Sequence, residues 1–205
     1  LRYNLIQWVH RSTRGWSYGA SVVDPRTGEI LKGHVSLGSL RIRQDFMIAQ
    51  ALMNAPFKSS DDNYEPMLEM ALARIRQLSA HEVGHTLGFA HNFAASVADR
   101  ASVMDYPHPT IRLKNGNIDF SDAYAVGIGT WDKVTVAYSY GDVPKGMTES
   151  WYLNDILEKA EAQGLRFITD SDARAATGAH PDAHLWDNGA NAAQELEDVL
   201  ALREK

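Results

Sequence analysis

"HEVGHTLGFAH", residues 81–91, places three histidines and one glutamate within a single short stretch. Helix-forming residues lead unbroken into it, so we expect His81 and His85 to lie on one helix face, about 6 Å apart along the axis. Two imidazole nitrogens so placed can both reach one zinc ion at about 2.0–2.1 Å. Glu82 is rotated about a quarter-turn from His81, which favours contact with a water at the metal over metal binding.

Gly88 separates the second and third histidines. A straight helix would carry a third ligand along the same axis, where it could not complete a tetrahedral site. Gly88 can adopt a left-handed conformation and end the helix, which turns the chain back towards the metal. His91 then arrives from another direction. The spacing therefore predicts a three-histidine metal site with an open fourth position.

The composition restricts both the metal chemistry and the classes of partner. The 205 residues include no cysteine, so any metal must be held by His, Asp or Glu. A net charge of -6 without a basic patch argues against nucleic-acid binding. No apolar run approaches the roughly 18 residues of a membrane span. Because the chain begins at Leu1 without Met or a signal segment, we interpret it as a piece of a longer protein whose targeting segment is missing from this sequence. Flanking domains are implied only by a family resemblance described below.

Strand and turn signals fill the N-terminal region. Alternation predicts a strand over residues 3–9, and "DPRTG" (24–28) predicts the turn of a hairpin between "YGASVV" and a return strand. Gly33 and Gly38 lie on either side of the last part of that return strand, and they suggest an edge strand or a bulge. The segment "GHVSLGS" is therefore a candidate edge strand.

From residue 41 onwards the apolar pattern becomes helical. It predicts one helix over residues 41–53, and a second that begins at a cap on Asp62 or Asn63, accepts Pro66 in its first turn and continues into His81. The side chains expected to form the buried face of the second helix are Met67, Leu68, Ala71, Leu72, Ile75 and Leu78.

Loops and helices alternate after His91. We expect a loop at "SVMDYPHP" (102–109) and a turn at "KNGN" (114–117), followed by mostly helix over residues 119–142. A capped helix over residues 148–163, a short strand at "RFIT" (166–169) and a final helix over residues 192–205 complete the chain.

The segment "AHPDAHLWDNG" (179–189) contains His180 and His184 at the same spacing as the first histidine pair. Pro181 and the nearby glycine disfavour a helix, so this spacing does not bring the two rings onto one face. We favour a loop held by its own hydrogen bonds over a second metal site.

The residues 81–91 match the His-Glu-x-x-His-x-x-Gly-x-x-His signature of the metzincin zinc peptidases, and the chain resembles that clan. Thirteen residues after His91, "SVMDY" resembles the Met-turn, which implies that Met104 lies beneath the zinc-binding histidines. Tyr106 corresponds to the tyrosine that contacts the metal or the oxyanion in astacin-like and serralysin-like members. More narrowly, "LSAHEVGHTLGFAHNFAAS", "ASVMDYPHP" and "HPDAHLWDNG" resemble the catalytic domain of large bacterial zinc-dependent metalloproteases.

This resemblance implies an α+β, two-lobed zinc peptidase domain. A mixed sheet and the active-site helix would form the upper lobe (residues 1–88) above the cleft, and residues 89–205 would form a mostly helical lower lobe. Clan members carry about five strands and a long helix before the active-site helix, whereas about three strands and a short helix precede His81 here. We therefore expect an upper lobe that is incomplete at its N-terminus and an isolated piece with low activity. The resemblance also implies that an edge strand, here "GHVSLGS", binds extended substrate.

The implied function is a zinc-dependent endopeptidase, with Zn²⁺ as cofactor and His81, His85 and His91 as ligands. Glu82 would act as the general base on a zinc-activated water, and Tyr106 would hydrogen-bond to the oxyanion. The partner would be a peptide or protein substrate. We expect a bacterial, secreted protein, located outside the cell or in the periplasm.

Two alternatives stay open at the level of sequence. The first is a non-catalytic zinc-binding or interaction module derived from a peptidase lobe, although such a module does not need the carboxylate of Glu82. The second is a zinc peptidase with a distant glutamate as third ligand, for which Glu149 is a candidate. His91 already fills that position at the required offset.

Overall fold

The computed structural model describes residues 2–13, 15–53, 64–178 and 180–205. Within them the chain forms five strands and six α-helices, and the predicted α+β class is confirmed. The predicted helix cap at Asp62 or Asn63 lies outside the described residues. None of the described helices combines the length and the apolar character needed to cross a membrane.

A three-stranded sheet is built from β1 (Leu5–Val9), β2 (Tyr18–Val23) and β3 (Ile30–Gly38). The predicted hairpin is confirmed: β2 and β3 are antiparallel, and the amide of Gly28 donates to the carbonyl of Asp24 at 2.8 Å to close the turn. Strand β1 runs parallel to β3, which gives the strand order β1-β3-β2.

Strand β3 is the central strand of this sheet, so the prediction that "GHVSLGS" forms an edge is wrong. β1 pairs with one side of β3 and β2 with the other, which leaves no free edge on β3 for an extended peptide. Gly33 has a different role: a Cβ there would lie 3.0 Å from the side chain of Thr86. Glycine at this position lets β3 pack closely on the helix that ends at Thr86.

Two helices, α1 (Leu40–Leu52) and α2 (Glu65–Thr86), follow the sheet. Pro66 lies in the first turn of α2, where its missing N–H costs no hydrogen bond. Leu68 and Leu72 are 38% and 36% exposed, so the predicted apolar face of α2 is partly wrong. The buried face instead becomes polar towards its C-terminal end and consists of Met67, Met70, Ala71, Arg74, Gln77, Leu78, His81, Glu82 and Gly84.

The remaining elements are short. They are β4 (Arg112–Lys114), β5 (Asn117–Asp119), α3 (Thr130–Tyr140), α4 (Glu149–Ala162), α5 (Asp170–Ala173) and α6 (Ala192–Arg203). The predicted "KNGN" turn joins β4 to β5 through Asn115 and Gly116, both of which have positive φ. The predicted helices over residues 148–163 and 192–205 correspond to α4 and α6.

Two predictions for the C-terminal half need correction. The helix predicted over residues 119–142 begins only at Thr130, because Gly127 has a φ of +80° and Gly129 is extended. Residues 166–169 are not a strand. The side chain of Asn92 binds this segment instead, since its Oδ1 accepts from the amide of Ile168 at 3.1 Å.

The chain forms two compact units. The first consists of Leu1–Gly88, Pro109–Gly127 and Asn191–Lys205, and its core is formed by Ala49, Met67, Met70, Phe120, Ala123 and Tyr124. The second consists of Phe89–His108 and Ile128–Ala190, and its core is formed by Ala95, Ala101, Ala160 and Leu165. The division into lobes at residue 88 stays a prediction.

Candidate metal centre

Helix α2 carries His81, Glu82 and His85 in its last two turns. The Nε2 atoms of His81 and His85 lie 3.1 Å apart, and the two rings meet edge-on. Two nitrogens bound to one zinc ion at about 2.0–2.1 Å in tetrahedral directions are about 3.3 Å apart. The helical spacing therefore gives this pair the separation that a shared metal requires.

Gly88 redirects the chain after α2, as the sequence predicts. Its φ is +88°, and its amide donates to the carbonyl of His85 at 3.1 Å. Side chains with a Cβ rarely adopt this conformation, so glycine suits the position. Three residues later His91 is half-buried, and one ring nitrogen each of His81, His85 and His91 lies within 4.8 Å of the other two.

These three imidazoles fit a zinc ion. Three nitrogen ligands with a fourth position left open are the donor set of catalytic zinc sites such as those of three-histidine enzymes. In the part of the chain that the structure describes, no other group of three His, Asp or Glu side chains is close enough to hold a metal. Glu149, the alternative third ligand, is not a member of this group.

Asp170, the first residue of α5, orients His91. Its Oδ2 lies 2.7 Å from Nδ1 of His91, and its Oδ1 accepts from the guanidinium of Arg174 at 3.0 Å. Burial acts to raise the pKa of Asp170, but His91 and Arg174 outweigh it and lower the pKa. A carboxylate at Nδ1 fixes the ring proton there and leaves Nε2 available for a metal. Asp170 could not be identified from the sequence, because no spacing rule relates residues so far apart.

Glu82 lies on the buried face of α2 and is 4% exposed. Burial raises the pKa of its carboxyl to about 7, while a hydrogen bond from the backbone of Gly19 and the charge of Arg74 act against this rise. The carboxyl is therefore held in place by a strand that lies far from it in sequence. Its role as general base stays a prediction.

Gly19 brings β2 into direct contact with α2. A Cβ on residue 19 would lie 2.0 Å from the backbone oxygen of Glu82, so a larger residue would push the strand away from the helix. Gly19 was not predicted from the sequence to be part of the site. The available signal was a glycine inside the predicted strand "YGASVV", which often marks a close backbone approach.

The Met-turn lies next to the segment that follows His91. The amide of Asn92 donates to the carbonyl of Met104 at 3.0 Å, and Met104 is 3% exposed. Within the turn, the hydroxyl of Ser102 accepts from the amide of Met104 at 3.0 Å. The position of Met104 beneath the histidines, implied by the resemblance, stays a prediction.

Asp132, in the first turn of α3, holds the Met-turn in place. Its Oδ2 accepts from the amides of Val103 and Gly129 at 2.9 and 2.6 Å, and its Oδ1 accepts from the hydroxyl of Ser102 at 2.5 Å. A Cβ at Gly129 would lie 1.9 Å from the carbonyl oxygen of Ala101, so the helix begins in close contact with the turn. Asp132, like Asp170, was not predicted from the sequence.

Tyr106 packs against the third histidine. Its ring lies edge-on to the ring of His91, with 4.7 Å between centroids, and it stacks on Trp186 at 5.1 Å. The amide of Trp186 also donates to the carbonyl of Tyr106 at 2.9 Å. The loop that contains Trp186 therefore supports Tyr106 from the side opposite His91. The role of Tyr106 as a hydrogen-bond donor to an oxyanion stays a prediction.

The same loop carries the second histidine pair. Nδ1 of His180 accepts from the amide of Asp182 at 3.1 Å, and the carboxylate of Asp182 pairs with Arg166. These contacts agree with a loop held by its own hydrogen bonds. His184 is exposed and is not part of a three-residue metal group among the described side chains.

Three histidines cluster at and just after the C-terminal end of α2, which also carries a buried glutamate. Together with the α+β fold, these features define a zinc metallopeptidase-type domain. Residues 63–205, more than two thirds of the chain, match the model of a family described as Met-zincin. The chain belongs to the Met-zincin family. No curated protein and no solved structure matches it. The narrower resemblance to large bacterial metalloproteases stays a prediction.

Proposed function

We propose that this chain is the catalytic domain of a zinc-dependent endopeptidase. The observation that carries the proposal is the buried carboxyl of Glu82, placed between two histidines of a three-imidazole cluster. Burying a carboxyl costs free energy, and a purely structural zinc site gains nothing from it. The position of Glu82 therefore favours a hydrolase over a non-catalytic zinc-binding module.

His81, His85 and His91 would hold the metal. Bound zinc supplies a Lewis acid that makes water more acidic and polarises a substrate carbonyl. Asp170 fixes the ring orientation of His91, so that this ligand is ready to bind without rearrangement. The Nε2 atoms of His81 and His85 already have a separation close to that of two ligands of one metal ion, so these two ligands also need little rearrangement.

Glu82 would move the protons of the reaction. Its carboxyl accepts a proton from the attacking water and then delivers it to the amine that leaves. This double role requires a carboxyl that can exist in both protonation states near neutral pH. Burial in contact with the backbone of Gly19 provides such an environment and also fixes the direction of the carboxyl.

Tyr106 would stabilise the charge that develops on the substrate. A tyrosine hydroxyl is protonated at neutral pH and can donate a hydrogen bond. Its ring is held between His91 and Trp186, which limits the motion of the hydroxyl. A donor fixed in this way would strengthen its bond as the carbonyl oxygen gains negative charge.

The substrate would be an extended peptide that pairs with β2. Among the described strands β2 has a partner on one side, β3, and Gly19 on β2 contacts Glu82. A peptide that adds to the free edge of β2 would place its backbone beside the carboxyl of Glu82. The peptide-binding role expected of β3 would therefore belong to β2.

The test compares the zinc-loaded protein with its Glu82→Gln variant on a library of internally quenched peptides. The unmodified protein should cleave internal peptide bonds. The variant should contain the same amount of zinc and cleave at least about 10²-fold more slowly, because it loses the proton acceptor and no metal ligand. A zinc-loaded protein that cleaves no peptide of the library, or a variant with unchanged turnover, would overturn the proposal.

A further inference from the structure

Asn92, the residue after the third histidine, is 1% exposed, and its side chain forms three hydrogen bonds. Its Oδ1 accepts from the amides of Ala94 at 3.2 Å and Ile168 at 3.1 Å. Its Nδ2 donates to the carbonyl of Arg166 at 2.8 Å. A carboxylate has no donor for that carbonyl, so the isosteric aspartate could not make the same three bonds.

These contacts join segments that are distant in sequence but lie in one compact unit. Besides the two side-chain bonds to residues 166 and 168, the backbone amide of Phe93 donates to the carbonyl of Ile168 at 2.8 Å. The backbone amide of Asn92 donates to the carbonyl of Met104 at 3.0 Å. The segment after the third histidine, the Met-turn and residues 166–168 therefore meet at Asn92.

Residues 166–168 lead directly into Asp170. The helix that Asp170 begins, α5, has four residues, and a helix this short is not stable by itself. The position of Asp170 must therefore be set by contacts of its neighbours in the chain. Ile168, two residues before Asp170, is bound through both its amide and its carbonyl to residues 92 and 93. His91, which Asp170 contacts at 2.7 Å, immediately precedes Asn92.

We propose that Asn92 is a positioning residue of the metal centre. By holding residues 166–168 beside the chain that carries His91, it places the carboxylate of Asp170 against Nδ1 of His91. Nε2 of His91 is then the nitrogen left for the metal. Arg174 cannot replace Asn92 in this role, because it belongs to the same short helix as Asp170 and moves with it.

The first test measures zinc affinity, because the inference rests on the three-histidine centre and not on peptidase activity. Asn92→Asp keeps an acceptor for Ile168 but turns an oxygen towards the carbonyl of Arg166, which should release residues 166–168. Competition with a chromophoric chelator should show a zinc Kd raised by about 10-fold or more. In combination with Asp170→Asn, it should weaken zinc binding no further than Asp170→Asn alone, because both changes act on one contact.

The second test needs neither zinc nor substrate. In the metal-free full chain with ¹⁵N-labelled histidine, the hydrogen on Nδ1 of His91 should exchange slowly with water, because Asp170 holds it. Its NMR signal should be resolved in the unmodified protein and absent from Asn92→Asp and Asp170→Asn. The loss of this signal in His91→Gln assigns it. The position of Asp170 can thus be tested even if the proposed function fails.

Val134→Ala is the matched control. It removes two methyl groups beside the core of the same compact unit, on α3, and should lower stability while the zinc Kd and the Nδ1 signal stay unchanged. If Asn92→Asp does not fold, Asn92→Ser is neutral and too short to reach Arg166, and both changes are expected in it. An unchanged zinc Kd, a retained Nδ1 signal in a folded Asn92 variant, or additive effects in the double variant would overturn the proposal.

Discussion

Oδ2 of Asp170 lies 2.7 Å from Nδ1 of His91, although 79 residues separate the two in sequence. The third histidine of the cluster therefore depends on the first turn of α5, whereas the other two depend only on the helix that carries them. Arg174, one helical turn after Asp170, holds the second oxygen of the same carboxylate. The orientation of His91 is thus set by an element with no recognisable metal motif.

Replacing Asp170 should weaken zinc binding without removing a ligand. Asp170→Asn is expected to raise the Kd for zinc by about 10- to 100-fold, because the imidazole of His91 loses the partner that fixes its tautomer and its orientation. Competition with a chromophoric chelator measures this change directly. Asp172→Asn, in the same short helix, is the matched control and should bind zinc like the unmodified protein. Equal affinities in all three proteins would contradict the positioning role.

A methyl group at residue 19 should disturb the proposed general base. Gly19→Ala places a Cβ against the backbone oxygen of Glu82 and is expected to cost about 1–3 kcal/mol of unfolding free energy, with loss of peptide cleavage. Gly38→Ala is the control, because a Cβ there would meet no atom nearer than 3.5 Å. Urea unfolding and peptide assays of both variants make the comparison. If the two variants have the same unfolding free energy and the same peptide cleavage, the close contact between β2 and α2 is not required for stability or activity.

Removing the hydroxyl of Tyr106 should slow the chemical step selectively. Tyr106→Phe is expected to lower kcat by about 10- to 1000-fold with little change in KM or zinc content, because the hydrogen bond forms fully only in the transition state. Tyr138→Phe removes a hydroxyl from a half-exposed tyrosine on α3 and should have no effect on kcat. If Tyr106→Phe retains the kcat of the unmodified protein, the ring serves only for packing between His91 and Trp186.

The buried carboxyl of Asp105 should make the free energy of unfolding depend on pH. Burial raises its pKa from an ordinary value near 3.8 to about 7, with a further contribution from Asp187. Because the folded state binds this proton more tightly than the unfolded state, the stability contributed by Asp105 is fully present below the ordinary pKa of 3.8 and is lost as the pH rises from there through about 7. Urea unfolding at several pH values should show that the advantage over Asp105→Asn declines across this window. An advantage that grows with pH would refute the assignment.

The metal ligands could be predicted from sequence because their geometry is local. A spacing of four within a helix determines the distance between His81 and His85, and the positive φ of Gly88 determines the return of His91. Both effects depend on the conformation of fewer than a dozen residues. The same locality explains why the hairpin between β2 and β3 was predicted correctly, since its turn residues encode it.

Features that depend on distant pairing could not be predicted in this way. Whether β3 forms an edge is decided by β1, which pairs with it in parallel and leaves no trace in the sequence of β3. The exposed Leu68 and Leu72 and the buried Arg74 on α2 likewise follow from neighbours outside the helix, among them the ring of Tyr124 beneath the guanidinium of Arg74. Helical periodicity alone cannot distinguish a buried charge with partners from an exposed one.

The carboxylate of Asp132 accepts hydrogen bonds from Gly129 at the start of α3 and from Val103 in the Met-turn. An opening of either segment would remove one of the hydrogen bonds to the same buried carboxylate, so opening one segment weakens the contacts of the other and we expect the two to open together. Amide hydrogens on both sides should consequently exchange with solvent at one common free energy, as in a single cooperative unit. The turn that carries Met104 and Tyr106 is thereby stabilised by α3, although α3 supplies no metal ligand.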